Sequence, residues 1–416
     1  MADMQTRLRE AMRAEGEKAS PERLRPLRPL SERTVRRRAR TRGWLVPAAA
    51  AMAIVAVIAL VTVGVHTATS RPSPTVAPTV GKPPWPVAGT GRPAYFAAFG
   101  YVLNSHERFE KGTYVMIHSS ATGDVLSTAA FAAVNVLGYG AITAAGDDRH
   151  FLVELPTGSR PHPVWRFWWL VVSADGRHVA VSPLKLPAGP ADMDVSSIAL
   201  SADGTRLAVA WATPPPEKQA TGITSALQVI NLPSGTAQTW TTRQGNIRFA
   251  VGTIGDVSWG SGDRLLGFSW QAGWAGSLEA GYYLLDTGNP RAGLLSRRII
   301  DGWAGGRYLG DAFLAGAAQD VIAAVALPVP GKKHLEGNGD PAIVEFSART
   351  GQIVRTLYGP GPYGYGLGWR VLSIDPSGQH VLAGVPTLVL IDDGTPTPVR
   401  VPGRVNNLTI TVNGAW

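Results

Sequence analysis

The chain has no cysteine among its 416 residues. That excludes a disulfide framework, a thiolate metal site and a cysteine nucleophile. Charge is scarce too, with Asp, Glu, Lys and Arg making up only 17% of the sequence. Eight histidines occur, none in an H-E-x-x-H or other paired metal spacing. No G-x-S-x-G elbow is present, which argues against an appended serine hydrolase. Gly-rich stretches such as GYGLG lack the strand–loop–helix setting of a phosphate site. Asp192 and Asp194, or the loop EGNGD at 336–340, have the oxygen ligands for Ca²⁺, but the spacing is not that of an EF-hand, and a solvated acidic turn is the plainer reading. The sequence therefore implies no cofactor and no metal.

What is abundant is glycine and proline, 48 and 32 residues. With so little charge, this suits an all-β chain with many turns. The net charge of +9 invites a nucleic-acid reading. Its distribution argues against one. Residues 1–43 hold 12 Arg and one Lys against six acids, while the rest of the chain is close to neutral.

Residues 44–65, WLVPAAAAMAIVAVIALVTVGV, carry no charge over 22 positions. At about 1.5 Å per residue such a helix crosses a hydrocarbon core of roughly 30 Å. Pro47 falls in the first turn, where proline costs little, and Trp44 stands at an interfacial position. The basic run RTVRRRARTRG precedes the span, and bases after it are sparse. The positive-inside rule then places the N-terminus in the cytoplasm and the rest outside a plasma membrane. A basic region of 43 residues and an apolar segment this long favour an uncleaved anchor over a signal peptide. Residues 1–32 are either a docking segment for a cytoplasmic protein or a solvated basic tail near anionic headgroups. Residues 66–93, rich in Pro and Thr, read as a spacer.

Residues 94–416 repeat one pattern. A tight polar turn followed by apolar alternation appears at GDDRHFLVEL (146–155), SADGTRLAVAW (201–211), GSGDRLLGFSW (260–270), AAQDVIAAVAL (317–327) and DPSGQHVLAGV (375–385). Asp, Gly and Ser supply the turn, and alternation is the mark of a half-buried strand. A second turn type alternates with the first, as in INLPSGTAQTW (230–240) and FSARTGQIVRT (346–356), and SADGRHVAVS (173–182) falls in that second slot. The unit is therefore four strands. Third strands are expected near 114, 168, 227, 282, 343 and 388, giving spacings of 54, 59, 55, 61 and 45. Four-stranded units of this period predict a β-propeller. YFAAFG (95–100) lacks a strand before it, and NNLTITVNGAW (406–416) leaves one over. The last strand is thus expected to complete the first blade, giving six blades, or seven if one long unit is miscounted.

The turns at 173–182 and 201–211 resemble those of WD40-like and TolB-like propeller repeats of bacterial envelope proteins. The regular Gly-His and Trp-Asp pairs of true WD40 blades are missing. The resemblance implies a fold and a binding role rather than an activity. The whole plan, a basic tail, one span and a propeller, is also similar to that of single-pass proteins of high-GC bacteria.

Long connections, such as PLKLPAGPADMD (183–194) and PVPGKKHLEGNGDP (328–341), all fall on the face away from the tight turns. Segregated loop length marks a functional face. Its candidate ligand contacts are Trp274, Trp303, Tyr308, Tyr363, Tyr365, Trp369 and His334, since aromatics beside glycines suit a glycan or peptide surface. Trp165, Trp168 and Trp169 in VWRFWWL are expected in the core. The sequence reading is a membrane-anchored, extracytoplasmic, non-enzymatic binding or scaffold module for an envelope protein, glycan or small ligand. A transmembrane regulator resembling anti-sigma proteins is the alternative, although the zinc motif of many anti-sigma domains needs cysteine. A hydrolase or lyase using Asp or His in the central channel is a third class.

Overall fold

The computed structural model describes residues 83–85, 91–103, 109–131, 140–159, 162–213, 223–244, 253–260, 262–272, 279–302, 308–315, 320–327, 340–359, 370–384, 389–398 and 414–415. They form strands and turns, with no helix among the described residues. The expected tail 1–43, the expected span 44–65 and most of the expected spacer lie outside them. Among the described residues no helix is long and apolar enough to cross a membrane.

The repeated turn folds for a local reason. In Ser201–Arg206 the Asp203 carboxylate accepts hydrogen bonds from Ser201 Oγ, Thr205 Oγ1 and Thr205 N. Gly204 stands at φ 72°, in the left-handed region that glycine tolerates. The turn reverses the chain, and Leu207, Val209 and Trp211 then alternate into one face of the next strand.

Strands β1 (Tyr95–Leu103), β2 (Phe109–Ser119) and β3 (Val125–Ala130) begin blade 1. Blade 2 is β4 (Ala141–Ala144), β5 (His150–Ser159), β6 (His162–Val172) and β7 (Val179–Leu184). Blade 3 is β8 (Asp194–Leu200), β9 (Arg206–Ala212), β10 (Ile223–Asn231) and β11 (Ala237–Gln244). Blade 4 is β12 (Thr253–Trp259), β13 (Leu265–Ala272), β14 (Glu279–Asp286) and β15 (Arg298–Asp301). Blade 5 is β16 (Tyr308–Ala315), β17 (Asp320–Leu327), β18 (Asp340–Phe346) and β19 (Ile353–Tyr358). Blade 6 is β20 (Arg370–Ile374), β21 (His380–Gly384), β22 (Val389–Asp392) and β23 (Thr395–Pro398). The two-residue β24 (Gly414–Ala415) then pairs with β1 as the innermost strand of blade 1. The ring has six blades, not seven, and closes as the repeat implied. Five of the expected third-strand positions lie within β2, β6, β10, β14 and β18, and the sixth falls one residue before β22.

No blade can bury both faces alone, so the core is divided into seams. Phe99, Val115, Phe151 and Leu170 fill the seam of blades 1 and 2. Leu152, Phe167, Trp169, Leu207, Val209 and Trp211 fill that of blades 2 and 3. Near the axis, side chains of one blade cap backbone N–H groups of the next. Thr143 Oγ1 accepts from Leu200 N (3.0 Å), Ser197 Oγ from Val257 N (3.2 Å) and Ser258 Oγ from Leu314 N (2.7 Å). The registers of β8, β12, β16 and β20 against their neighbours each shift once, between Val195/Ser197, Gly255/Ser258, Leu309/Ala312 and Val371/Ser373. A bulge bends its strand and increases twist, which suits strands that line an axis.

Trp85, within the segment expected as a spacer, is buried on the tight-turn end of blades 2 and 3. Its backbone N–H donates to Asp203 O (2.9 Å). Its indole stacks on His150 at 3.9 Å and meets Trp169 edge-on at 5.0 Å.

Candidate functional site

The described residues enclose at least two cavities. The first is axial, about 340 Å³, and touches all six innermost strands, from Ile142–Ala145 round to Ala415. Asp263 lies at its tight-turn mouth. Burial and then repulsion from Asp203 push the Asp263 carboxyl up. Burial also opposes ionisation of Asp203, but hydrogen bonds from Thr205 and Ser201 outweigh it and hold that group below the usual range. The pair is therefore split, with the proton favoured on Asp263.

The second cavity, about 680 Å³, opens at the seam of blades 2 and 3. That is a volume typical of ligand sites, roughly 300–1,000 Å³. Blade 2 contributes Trp165, Phe167 and Trp168, and blade 3 contributes Val209, Trp211, Gln228 and Ile230. Gln228 pairs with Val209 across β10 and β9, so Trp211 and Gln228 are diagonal neighbours on one face. The connection from β7 to β8 crosses the cavity as a strap, Lys185–Met193.

Trp211 and Gln228 are 6% and 5% exposed. Trp211 Nε1 has no hydrogen-bond partner. Gln228 Nε2 donates to Ala188 O at a long 3.4 Å, which fixes the amide and leaves Oε1 as an acceptor without a partner. A buried donor and a buried acceptor thus stand unpaired on one wall. Most buried polar groups in folded proteins are paired, so such a concentration needs a reason.

Glu154 adds a third unpaired atom. It lies on β5 opposite Phe167, and strand alternation puts it on the sheet face that also carries Phe167. Its Oε2 accepts from Ala141 N at 3.1 Å, while Oε1 has no partner. Burial raises its carboxyl well above the usual range, against the opposing Ala141 N–H.

Of the seven aromatic and histidine candidates, Tyr308 opens β16 and pairs with Ala326. Trp274, Trp303, Tyr363, Tyr365, Trp369 and His334 lie outside the described residues. The loop PLKLPAGPADMD is described, and it forms the strap. Trp168 and Trp169 are buried as expected, whereas Trp165 is half-buried and lines the seam cavity. The sequence reading missed Trp211 and Gln228. Trp211 was visible as the last apolar residue of SADGTRLAVAW, but nothing local marks Gln228. No group of three His, Asp or Glu residues able to hold a metal occurs among the described residues.

No protein-family model matches the chain. No curated protein matches it either. Solved structures do, the following at low identity. Prolyl oligopeptidase B from Galerina marginata is 10% identical over 76% of this chain and 40% of its own, with a TM-score of 0.39. Dipeptidyl peptidase 4 of Porphyromonas gingivalis is 13% identical over 68% of this chain and 41% of its own, TM-score 0.34. The β-propeller domain of the Trilobed protease from Pyrococcus furiosus is 11% identical over 64% and 71%, TM-score 0.34. That propeller is described as having an open velcro topology; here β24 pairs with β1. The chain spans about two fifths of the length of the first two peptidases. At this identity the likeness is one of fold.

These neighbours correct the expectation of a non-enzymatic binding or scaffold module, since they are peptidases rather than scaffolds. The physical reason for the error is plain. Turn repeats and loop segregation report how blades are built, and a blade is built alike whatever the ring serves. Among its described residues this chain is a six-bladed β-propeller with structural neighbours in the propeller-containing peptidase family.

Proposed function

We propose that the chain acts in peptide hydrolysis, with the propeller holding the substrate peptide at the seam of blades 2 and 3. The observation that carries this reading is the unpaired pair on the cavity wall. A peptide group has one donor and one acceptor. Its carbonyl would accept a hydrogen bond from Trp211 Nε1, and its N–H would donate one to Gln228 Oε1. Trp165, Phe167 and Trp211 offer apolar contact to the flanking side chains. The structural neighbours named above are peptidases, which is an analogy of fold alone.

The same proposal keeps residues 44–65 as a plasma-membrane anchor with the propeller outside, supported by their 22 uncharged positions and the arginine-rich flank.

The test uses the full chain in detergent and a mixed peptide digest of unfolded serum albumin. New termini are followed by mass spectrometry, and bound peptides are recovered after washing. New termini, together with loss of bound peptide in Trp211→Phe and Gln228→Leu, are expected. Peptides retained without new termini would overturn the hydrolytic part. Neither retention nor new termini would overturn the whole reading.

A further inference from the structure

The strap over the seam cavity is itself a peptide lying on the wall. Its centre reads LPAGP, Leu186–Pro190. Pro187 and Pro190 fix their own φ angles and push Leu186 and Gly189, which precede them, toward extended backbone. The segment is therefore extended by its sequence rather than by pairing in a sheet. Gly189 rests against the six-membered ring of Trp211, so closely that a Cβ at position 189 would overlap Cζ2 and Cη2. Ala188 O takes the one proton that Gln228 Nε2 offers the strap, at 3.4 Å.

The strap meets the wall but does not satisfy it. Trp211 Nε1 and Gln228 Oε1 stay unpaired with the strap in place. Its hold consists of one long hydrogen bond, the glycine contact and the packing of Leu186 and Met193, both only partly buried, against the seam core. A peptide that pairs both atoms would gain what the strap does not supply. Occupant and cover then compete for one surface.

We infer that residues 185–190 are an autoinhibitory strap, a built-in peptide that covers the Trp211–Gln228 wall and is displaced by substrate. This rests on the peptide reading above and adds its regulation. A site whose open form is only partly populated binds with an apparent affinity reduced by that fraction. Loosening the strap should therefore tighten binding.

Two variants test it in the full chain. Gly189→Ala forces the strap off the indole. Pro190→Gly adds no bulk and instead widens the freedom of the strap when it is off the wall. Gly91→Ala is the control, because a Cβ there meets nothing within 4 Å. The probe is the capped peptide acetyl-Ala-Leu-Ala-Leu-amide, titrated by calorimetry, with hydrogen exchange followed over 185–190. Both strap variants should bind about tenfold more tightly than wild type and exchange faster over the strap, while Gly91→Ala matches wild type. Wild-type binding with unchanged or weaker affinity in a folded Gly189→Ala and in Pro190→Gly would overturn the strap and leave the peptide reading standing. Absence of binding in every protein would overturn the peptide reading, and the strap with it.

Discussion

At the seam of blades 4 and 5, Tyr282 is completely buried, and its hydroxyl lies 3.0 Å from Ser258 Oγ, which also caps Leu314 N. At the seam of blades 2 and 3, Glu154, Trp211 and Gln228 are almost as deeply buried, yet each keeps a polar atom without a partner. The two seams belong to one repeat and face one axis. The first spends its polar groups on holding neighbouring blades together. The second leaves them unspent, those of Trp211 and Gln228 beside a cavity. Polar atoms at a seam are thus stabilising where a hydroxyl reaches the next blade, and available for recognition where none does.

The comparison can be broken most directly at Gly267. A Cβ there would overlap the Tyr282 hydroxyl and crowd Leu314. Gly267→Ala should lower stability by about 1–3 kcal/mol in chemical denaturation, the usual cost of overpacking. A neutral result would mean the 4–5 seam is looser than its hydrogen bonds imply. Tyr282→Phe removes only the hydroxyl and leaves Ser258 its bond to Leu314 N. Its expected cost is about 1 kcal/mol, and a cost several times larger would mean the network acts as a unit.

The opposite sign is expected at the other seam. The folded pKa of Glu154 lies above its unfolded value because of burial. Below the unfolded pKa both states hold the proton and the group contributes nothing. As pH rises past that value, the unfolded chain ionises first and folding loses free energy. Glu154→Gln should therefore raise the denaturation midpoint at pH 8 and leave it nearly unchanged at pH 4. A fall at pH 8 would show that the carboxylate is paired after all. The smallest effect belongs to the surface. Arg264 and Asp286 form an exposed bidentate pair. Such pairs add little, so Arg264→Ala should leave the thermal midpoint within measurement scatter.

These seams differ in how far the sequence exposes them. Ser201, Asp203 and Gly204 are neighbours in the chain, and their turn is made by contacts within six residues, so a linear reading finds it. The stranded ends, YFAAFG and NNLTITVNGAW, also pointed to the closure that β24 makes. The cavity wall is different in kind. Trp165, Trp211 and Gln228 come from three strands on two blades, and which face each side chain takes depends on registers that only the paired sheet fixes. Trp165 reads as core because its neighbours Trp168 and Trp169 are core. Gln228 sits in the apolar run ALQVIN with nothing to distinguish it from a tolerated polar residue. The absence of a partner is a property of everything around an atom, and no local pattern encodes it.

The pairing of β24 with β1 also sets an order of events during synthesis. Ala97 and Ala415 are partners although some 318 residues separate them. Blade 1 therefore lacks its innermost strand until Ala415 has left the ribosome. Blades 2 to 6 are each made of consecutive strands and can form as they emerge. The entropy of closing a loop rises only slowly with its length, but contacts this distant still form late. The ring grows as an open arc whose first blade waits, with β1 presenting an unpaired edge. The ring is then closed by a single joining step that waits for Ala415, and the risk of mispairing is concentrated on β1 until that step.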